Sequence, residues 1–237
     1  KSFRHVQWPQ FYRQLCAEGS PLSDRLLGAS ADDVHPVRVL DFGCSIGLFL
    51  QLANGVGWDS YGVEPDVALA RYAQERLGLN VYNGVLSDAH FPDGFFDIVV
   101  SFQVFEHLLN PADEMREIAR VLRPGGWIAV DVPSIDNVWF RFLRGRHRHF
   151  ATSQHLYFYT PVTVSHLLEK AGFEVVKVDF PPRSLSLEHV CKHHVALYSR
   201  WASVLLLRLL ERLNLLQRGV SINMRDVVCV YGRKKAL

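Results

Sequence analysis

Val39-Leu40-Asp41-Phe42-Gly43-Cys44-Ser45-Ile46-Gly47-Leu48-Phe49-Leu50 decides the fold of this 237-residue chain. A short apolar run ends in an acid, passes a small-residue turn with two glycines, and enters an apolar helical pattern. A buried parallel strand feeding a tight turn and a helix reads this way, and that arrangement opens a nucleotide-binding α/β domain. Gly43 and Gly47 suit a turn whose backbone must approach a ligand closely, where a Cβ would clash or forbid the needed φ. Asp41 closes the strand at the edge where open α/β sheets bind ligands. The spacing is D-x-G-x-x-x-G. It lacks the third glycine of a dinucleotide loop and the lysine of a phosphate loop, which argues against a pyrophosphate or triphosphate ligand.

The segments downstream repeat the strand-then-acid pattern. Ser60-Tyr61-Gly62-Val63-Glu64-Pro65-Asp66 reads as a second strand ending in an acid about twenty residues past the glycine turn, the spacing at which such domains set a carboxylate on ribose hydroxyls. Gly84-Val85-Leu86-Ser87-Asp88-Ala89 carries another acid at a strand end. Phe96 to Phe102 is a buried fourth strand, and Gln103-Val104-Phe105-Glu106-His107-Leu108 is its exit loop. Leu122-Arg123-Pro124-Gly125-Gly126-Trp127-Ile128-Ala129-Val130 gives a helix end, a Pro-Gly-Gly turn and a fifth strand. Strands are expected near 38–42, 59–64, 80–83, 96–102 and 127–132, with helices near 47–54, 66–77 and 111–122. Thr160-Pro161 opens a further helix that stops at Gly172. Phe173 to Phe180 and Asp226 to Tyr231 read as the sixth and seventh strands. Alternating strands and helices give a parallel sheet covered on both faces.

In this order and spacing the five motifs resemble the class I S-adenosylmethionine-dependent methyltransferases, over about residues 37–180. The closest look is to the branch containing quinone-biosynthesis and many small-molecule enzymes. The resemblance implies a seven-stranded Rossmann-like sheet of order 3-2-1-4-5-7-6, the last strand antiparallel, with helices on both faces. It also implies S-adenosyl-L-methionine as cofactor and S-adenosyl-L-homocysteine as product. Asp41, Gly43, Cys44 and Gly47 would cradle the amino-acid part of that cofactor. Glu64 would take the ribose hydroxyls, flanked by Pro65 and Asp66. Asp88 and Ala89 would meet the adenine, and Phe102 and Gln103 would line the floor below the sulfonium. Position 45 departs from the branch, being Ser where Gly is usual; a serine suits the turn unless that residue needs a positive φ.

Methyl transfer to oxygen or nitrogen needs an acceptor held in line with the methyl group and a group to take a proton, a task that favours histidine near neutral pH. His107, just past the fourth strand, matches the family's Glu-His pair as Glu106-His107. His155 lies in Gln154-His155-Leu156-Tyr157-Phe158-Tyr159-Thr160-Pro161, similar to a His-Leu-x-x-x-Thr-Pro segment of the branch. Both are catalytic candidates, although for each the plainer reading is a loop anchor. Tyr157, with Arg144 and Arg146 of the basic cluster Arg141 to Phe150, is a candidate for holding the acceptor; Arg forks match phosphate, carboxylate or headgroup oxygens.

The remaining features bound the function. Apolar residues make up 49% and charged residues 21%, an ordinary globular balance. A net charge of +2 and the lack of any nucleic-acid module argue against a DNA or RNA partner. The four cysteines show no C-x-x-C pair, and His189, His193 and His194 lack a further ligand motif, so no metal is expected. Scattered cysteines fit a reduced, cytoplasmic setting, and no uncharged apolar run reaches the ~18 residues of a spanning helix. The chain starts at Lys1 without a methionine, so an upstream segment is expected. Residues 1–36 read as an N-terminal helical cap and 37–237 as the catalytic domain, with acceptor-side insertions at about 134–160 and 181–222. Tyr198 to Leu216 is a leucine-rich helix with more apolar surface than one buried face needs, suited to a cap bundle, a homodimer interface or a peripheral membrane contact. The expected activity is methylation of a small molecule at oxygen. A lipid-linked or polyprenyl acceptor at a membrane surface, and a non-catalytic cofactor-binding scaffold, are the alternatives.

Overall fold

The computed structural model describes residues 36–137, 140, 154–181, 183–196, 199–223 and 225–236. The expected N-terminal cap, and Arg144 and Arg146 of the basic cluster, lie outside the described residues. What is described falls into two compact units, 36–181 with 225–236, and 183–223.

The first unit is a seven-stranded sheet. Its elements run β1 (Arg38–Phe42), α1 (Leu48–Gly55), β2 (Asp59–Glu64), α2 (Val67–Leu77), β3 (Val81–Asn83), β4 (Phe96–Phe102), α3 (Pro111–Val121), β5 (Leu122–Pro133), α4 (Pro161–Lys170) and β6 (Phe173–Asp179). The second unit supplies β7 (Arg183–Ser186), a helical turn at Leu187–His189, a π-helical segment Val190–Val195, α5 (Arg200–Arg212) and β8 (Gly219–Ile222); β9 (Val227–Lys234) returns to the sheet. The strand order β3-β2-β1-β4-β5-β9-β6 is the expected 3-2-1-4-5-7-6 arrangement. β9 runs antiparallel to both β5 and β6, as expected of the last strand.

The pattern of residues explains the sheet. β1 and β4 are buried almost throughout on both faces, as strands between two helical layers must be. Leu40, Val99, Ile128 and Val230 from four neighbouring strands join Met115 and Ile118 of α3 and Leu168 of α4 in one core. α4 opens as the sequence predicts: Thr160 caps it in a reciprocal box with Thr163, Pro161 occupies the first turn, and Gly172 follows the Ala171 C-cap with φ +91°. The largest departure from the expected bounds is at the start of β5. β5 reaches back to Leu122, paired with Phe96, and absorbs the Pro-Gly-Gly stretch as an irregularity before pairing resumes at Ile98–Trp127.

The second unit contains structure the sequence did not suggest. β7 and β8 form a two-stranded antiparallel ribbon in register Arg183↔Ile222 to Ser186↔Gly219. α5 lies within the expected leucine-rich helix, capped by Ser199, whose hydroxyl accepts from Ala202 N.

Candidate functional site

β1 and β4 are neighbours, yet the chain runs outward from them in opposite directions along the sheet, so their C-terminal ends border the crevice of a doubly wound fold. The turn after β1 opens on that crevice. The Gly43 and Cys44 amides both donate to the Val63 carbonyl, at 2.9 and 3.1 Å, which ties the turn to β2. Gly43 and Gly47 hold φ of +79° and +80°, and a Cβ would strike Val104 at the first and Leu79 at the second. Only glycine fits either place. Ser45, between them, also adopts a left-handed conformation at φ +51°. The condition under which serine would be less suited than glycine is therefore met, at a cost of about 1–2 kcal/mol. α1 begins at Gly47 without a side-chain cap, so no side chain of the cap residue occupies its first amides.

Two acids flank this turn. Asp41 is buried, and its carboxyl is pushed up to about 8, first by loss of water and second by the charge of Glu64. Among the described residues no hydrogen-bond donor reaches it. Glu64 is also buried, but both of its oxygens are engaged: Oε2 accepts from Ser45 N at 2.8 Å and Oε1 from Asp66 N at 2.9 Å. Each oxygen keeps a second lone pair for a ligand hydroxyl. Burying two like charges side by side is costly unless a cation and further donors complete them. An α-ammonium at Asp41 and a vicinal diol at Glu64 would do this, so the residues fit S-adenosylmethionine. Cys44 is a buried thiol whose pKa is raised by burial and then by both acids, so it is an inert packing group.

The other expected cofactor residues have local work of their own. Pro65 and Asp66 are exposed, and the Asp66 carboxylate caps α2 by accepting from Ala68 N and Leu69 N at 2.8 and 3.0 Å. Asp88 is exposed and Ala89 half-buried on a 3-10 turn at Leu86–Ala89. Phe102 is buried at the end of β4, its ring 5.7 Å from that of Phe49. Gln103 takes φ +57°, donates its amide to the Asp131 carbonyl at 2.8 Å and its side-chain nitrogen to the Asp131 carboxylate. Asp131, buried near the end of β5, is a residue the sequence reading passed over. The available signal was an acid inside an otherwise apolar strand.

The histidines meet across two loops. The segment 154–159 is laid on the loop after β4: Leu156 N and Tyr157 N donate to the Glu106 carbonyl at 2.7 and 3.2 Å, and Tyr159 Oη donates to the Phe105 carbonyl at 3.2 Å. Tyr157 is exposed and donates its hydroxyl to the Leu109 carbonyl at 3.1 Å, which makes it a tie between the loops. These bonds bring the His107 and His155 rings to 5.0 Å between centroids, edge to face. His107 Nδ1 lies 3.0 Å from the Gln154 carbonyl, and Nε2 lies 3.9 Å from Oε1 of the buried Glu106. A carbonyl can only accept, so Nδ1 carries the hydrogen and Nε2 of the neutral ring holds the lone pair. Glu106, His107 and His155 also place one ligand atom each within 4.8 Å of one another, a metal-compatible grouping that sequence spacing did not connect. His189, His193 and His194 flank or enter the π-helical segment, where the i, i+4 spacing of an α-helix does not apply.

A sheet of this order, with an acid ending β1, an acid ending β2 and a glycine turn between, defines the Rossmann-like methyltransferases. The chain belongs to the methyltransferase-domain family, whose model matches residues 9–178, and thereby to the S-adenosylmethionine-dependent class. It is 34% identical over 138 residues to a probable S-adenosylmethionine-dependent methyltransferase of Mycolicibacterium smegmatis, covering 58% of this chain and 52% of that protein. It is 32% identical over 103 residues to a ubiquinone biosynthesis O-methyltransferase of Roseobacter denitrificans, covering 41% of this chain and 42% of that protein. The chain thus spans about half or less of these curated relatives. A solved S-adenosylmethionine-dependent methyltransferase from Archaeoglobus fulgidus superposes with a TM-score of 0.62 at 19% identity, covering 95% of this chain and 94% of that one, a likeness of fold.

Proposed function

We propose that this protein transfers a methyl group from S-adenosylmethionine to an oxygen of a small hydroxylated acceptor, with His107 Nε2 receiving the proton. The observation that carries this reading is the His107 tautomer. Nδ1–H is committed to the Gln154 carbonyl, which leaves the lone pair on Nε2, with the Glu106 carboxylate 3.9 Å away to balance an imidazolium. The likeness to ubiquinone O-methyltransferases supports an oxygen acceptor.

When bound, the cofactor supplies a methyl group activated on a sulfonium. Asp41 receives the ammonium, Glu64 the ribose hydroxyls, and the turn Gly43 to Gly47 gives the amino-acid part close access to backbone. The chain's own part would be to hold the acceptor oxygen in line with that methyl group and to take the acceptor's proton at Nε2 of His107. His155, at 5.0 Å between ring centroids, buttresses the His107 ring. In the same reading Arg144, Arg146 and Tyr157 hold the acceptor.

The pH dependence of kcat in wild type, His107→Ala and His155→Ala tests this. His107→Ala is expected to lose about 10²–10⁴ in kcat, the span of general base catalysis, and the ascending limb of the profile, with its melting temperature and cofactor affinity kept. His155→Ala is expected to keep the limb with a smaller loss. A His107→Ala enzyme that retains rate and profile overturns the assignment.

A further inference from the structure

α5 has one face that its own unit covers and one that it does not. Ser203 and Leu210, seven residues apart, are buried, and Ser203 Oγ donates to the carbonyl of buried Cys191 in the π-helical segment at 2.8 Å. The opposite side is open. Leu205, Leu209 and Leu213 follow one another at four-residue steps and are 55%, 52% and 56% exposed, and Trp201 in the first turn is 77% exposed. Arg208 and Arg212, both exposed, run beside this leucine row on the Trp201 side. Neither pairs with a carboxylate among the described residues. Exposed Arg200 opens the helix, and Glu211 is the single acid along it.

We propose that this outer face is a peripheral contact for an anionic phospholipid surface. The combination of a leucine row, a terminal tryptophan and adjoining arginines suits a helix lying in the plane of the headgroups. Leucines enter the acyl boundary, and the long Arg stems bury while their heads reach phosphates. The thirteen residues of α5 span about 20 Å, short of the ~30 Å hydrocarbon core, and no helix among the described residues is long and apolar enough to cross a membrane. Charge decides against a second copy as the occupant. A two-fold contact through the same leucines would draw the Arg208 and Arg212 rows of both copies into one desolvated seam, with one Glu211 from each to offset them. A surface rich in phosphate complements the face instead. This inference is independent of the methyl-transfer reading.

Co-sedimentation of the full chain with vesicles tests it, comparing phosphatidylcholine alone with phosphatidylcholine doped with phosphatidylglycerol. Binding to the anionic vesicles, weakening with salt, is expected. The pair Arg208→Gln and Arg212→Gln is expected to lower partitioning roughly thirtyfold, the loss of two cations near an anionic surface. The pair Leu205→Ser and Leu209→Ser is expected to abolish binding while affinity for S-adenosylhomocysteine, measured as a folding control, stays unchanged. Failure of wild type to bind anionic vesicles overturns the proposal. So does binding that both variant pairs leave intact, which would assign it to another surface such as residues 141–150. Dimerisation in analytical ultracentrifugation that the leucine pair removes, without lipid binding, would give the face to a second copy.

Discussion

Replacing Glu64 by Gln separates the bracing that its hydrogen bonds show from the ribose contact proposed for the same side chain. Its carboxylate braces the glycine turn and α2 through Ser45 N and Asp66 N, at 2.8 and 2.9 Å, and in the proposed reading its remaining lone pairs accept from the ribose hydroxyls. Bonds to a charged acceptor contribute about 1.5–3 kcal/mol each. Gln keeps the shape and one oxygen, so one amide stays bonded while the other meets an NH₂ and loses its acceptor. The apo protein should therefore lose about 1.5–3 kcal/mol, partly offset because the Glu64 charge no longer presses on Asp41. The cofactor loses one acceptor for its diol, about 1–3 kcal/mol, which is roughly a five- to 150-fold rise in the dissociation constant. Glu64→Ala should cost more on both counts, because both amides are left buried without an acceptor. Calorimetric titration with S-adenosylhomocysteine, beside thermal melting of the apo forms, reads the two quantities apart. If Glu64→Gln melts lower yet binds with an unchanged constant, Glu64 is a brace only and the ribose assignment fails.

Further expectations concern the same turn. The Asp41 carboxyl is raised from its ordinary 3.8 to about 8, so its contribution to apo stability is full below pH 4 and declines as pH rises through 8; Asp41→Asn should flatten that part of a melting-versus-pH curve. Because an ammonium favours the ionised carboxylate, wild-type affinity for S-adenosylhomocysteine should rise with pH toward 8 with proton release, and the Asn variant should show neither in calorimetry. Ser45→Gly should relieve about 1–2 kcal/mol of left-handed strain against a penalty of about 0.4–1 kcal/mol from the freer unfolded chain, a net gain that raises the melting temperature by about 1–4 °C. A fall in melting temperature would show that the serine hydroxyl contributes more than its φ costs.

The parts of the molecule that local pattern controls were legible from sequence. The run Val39 to Leu50, the acid at Glu64 and the Thr160-Pro161 start each carry their own signal within a few residues, while the strand order was what the family resemblance implied. What escaped depends on contacts between distant segments. β7 and β8 are four-residue strands joined by more than thirty residues, and Arg183-Ser184-Leu185-Ser186 has no apolar run to mark it. Asp131 gained meaning only when Gln103 was seen to fold back upon it across the strand ends. His107 and His155 stood apart in the sequence. The bonds from Leu156 and Tyr157 to the Glu106 carbonyl join their loops, and the Gln154 carbonyl beside Nδ1 fixes which nitrogen of His107 holds the lone pair. The left-handed φ of Ser45 was a stated contingency that backbone geometry alone could resolve.

The most direct test of the account follows the methyl carbon itself. The protein is incubated with S-adenosylmethionine labelled with ¹³C at the methyl group and a panel of phenolic, carboxylate and amine acceptors, and the products are read by NMR. The account predicts label in an O-methyl group of a hydroxylated acceptor, with equimolar S-adenosylhomocysteine and with turnover that falls in Glu64→Gln and His107→Ala. Label found on nitrogen or carbon, or cofactor bound without turnover across the panel, would contradict it.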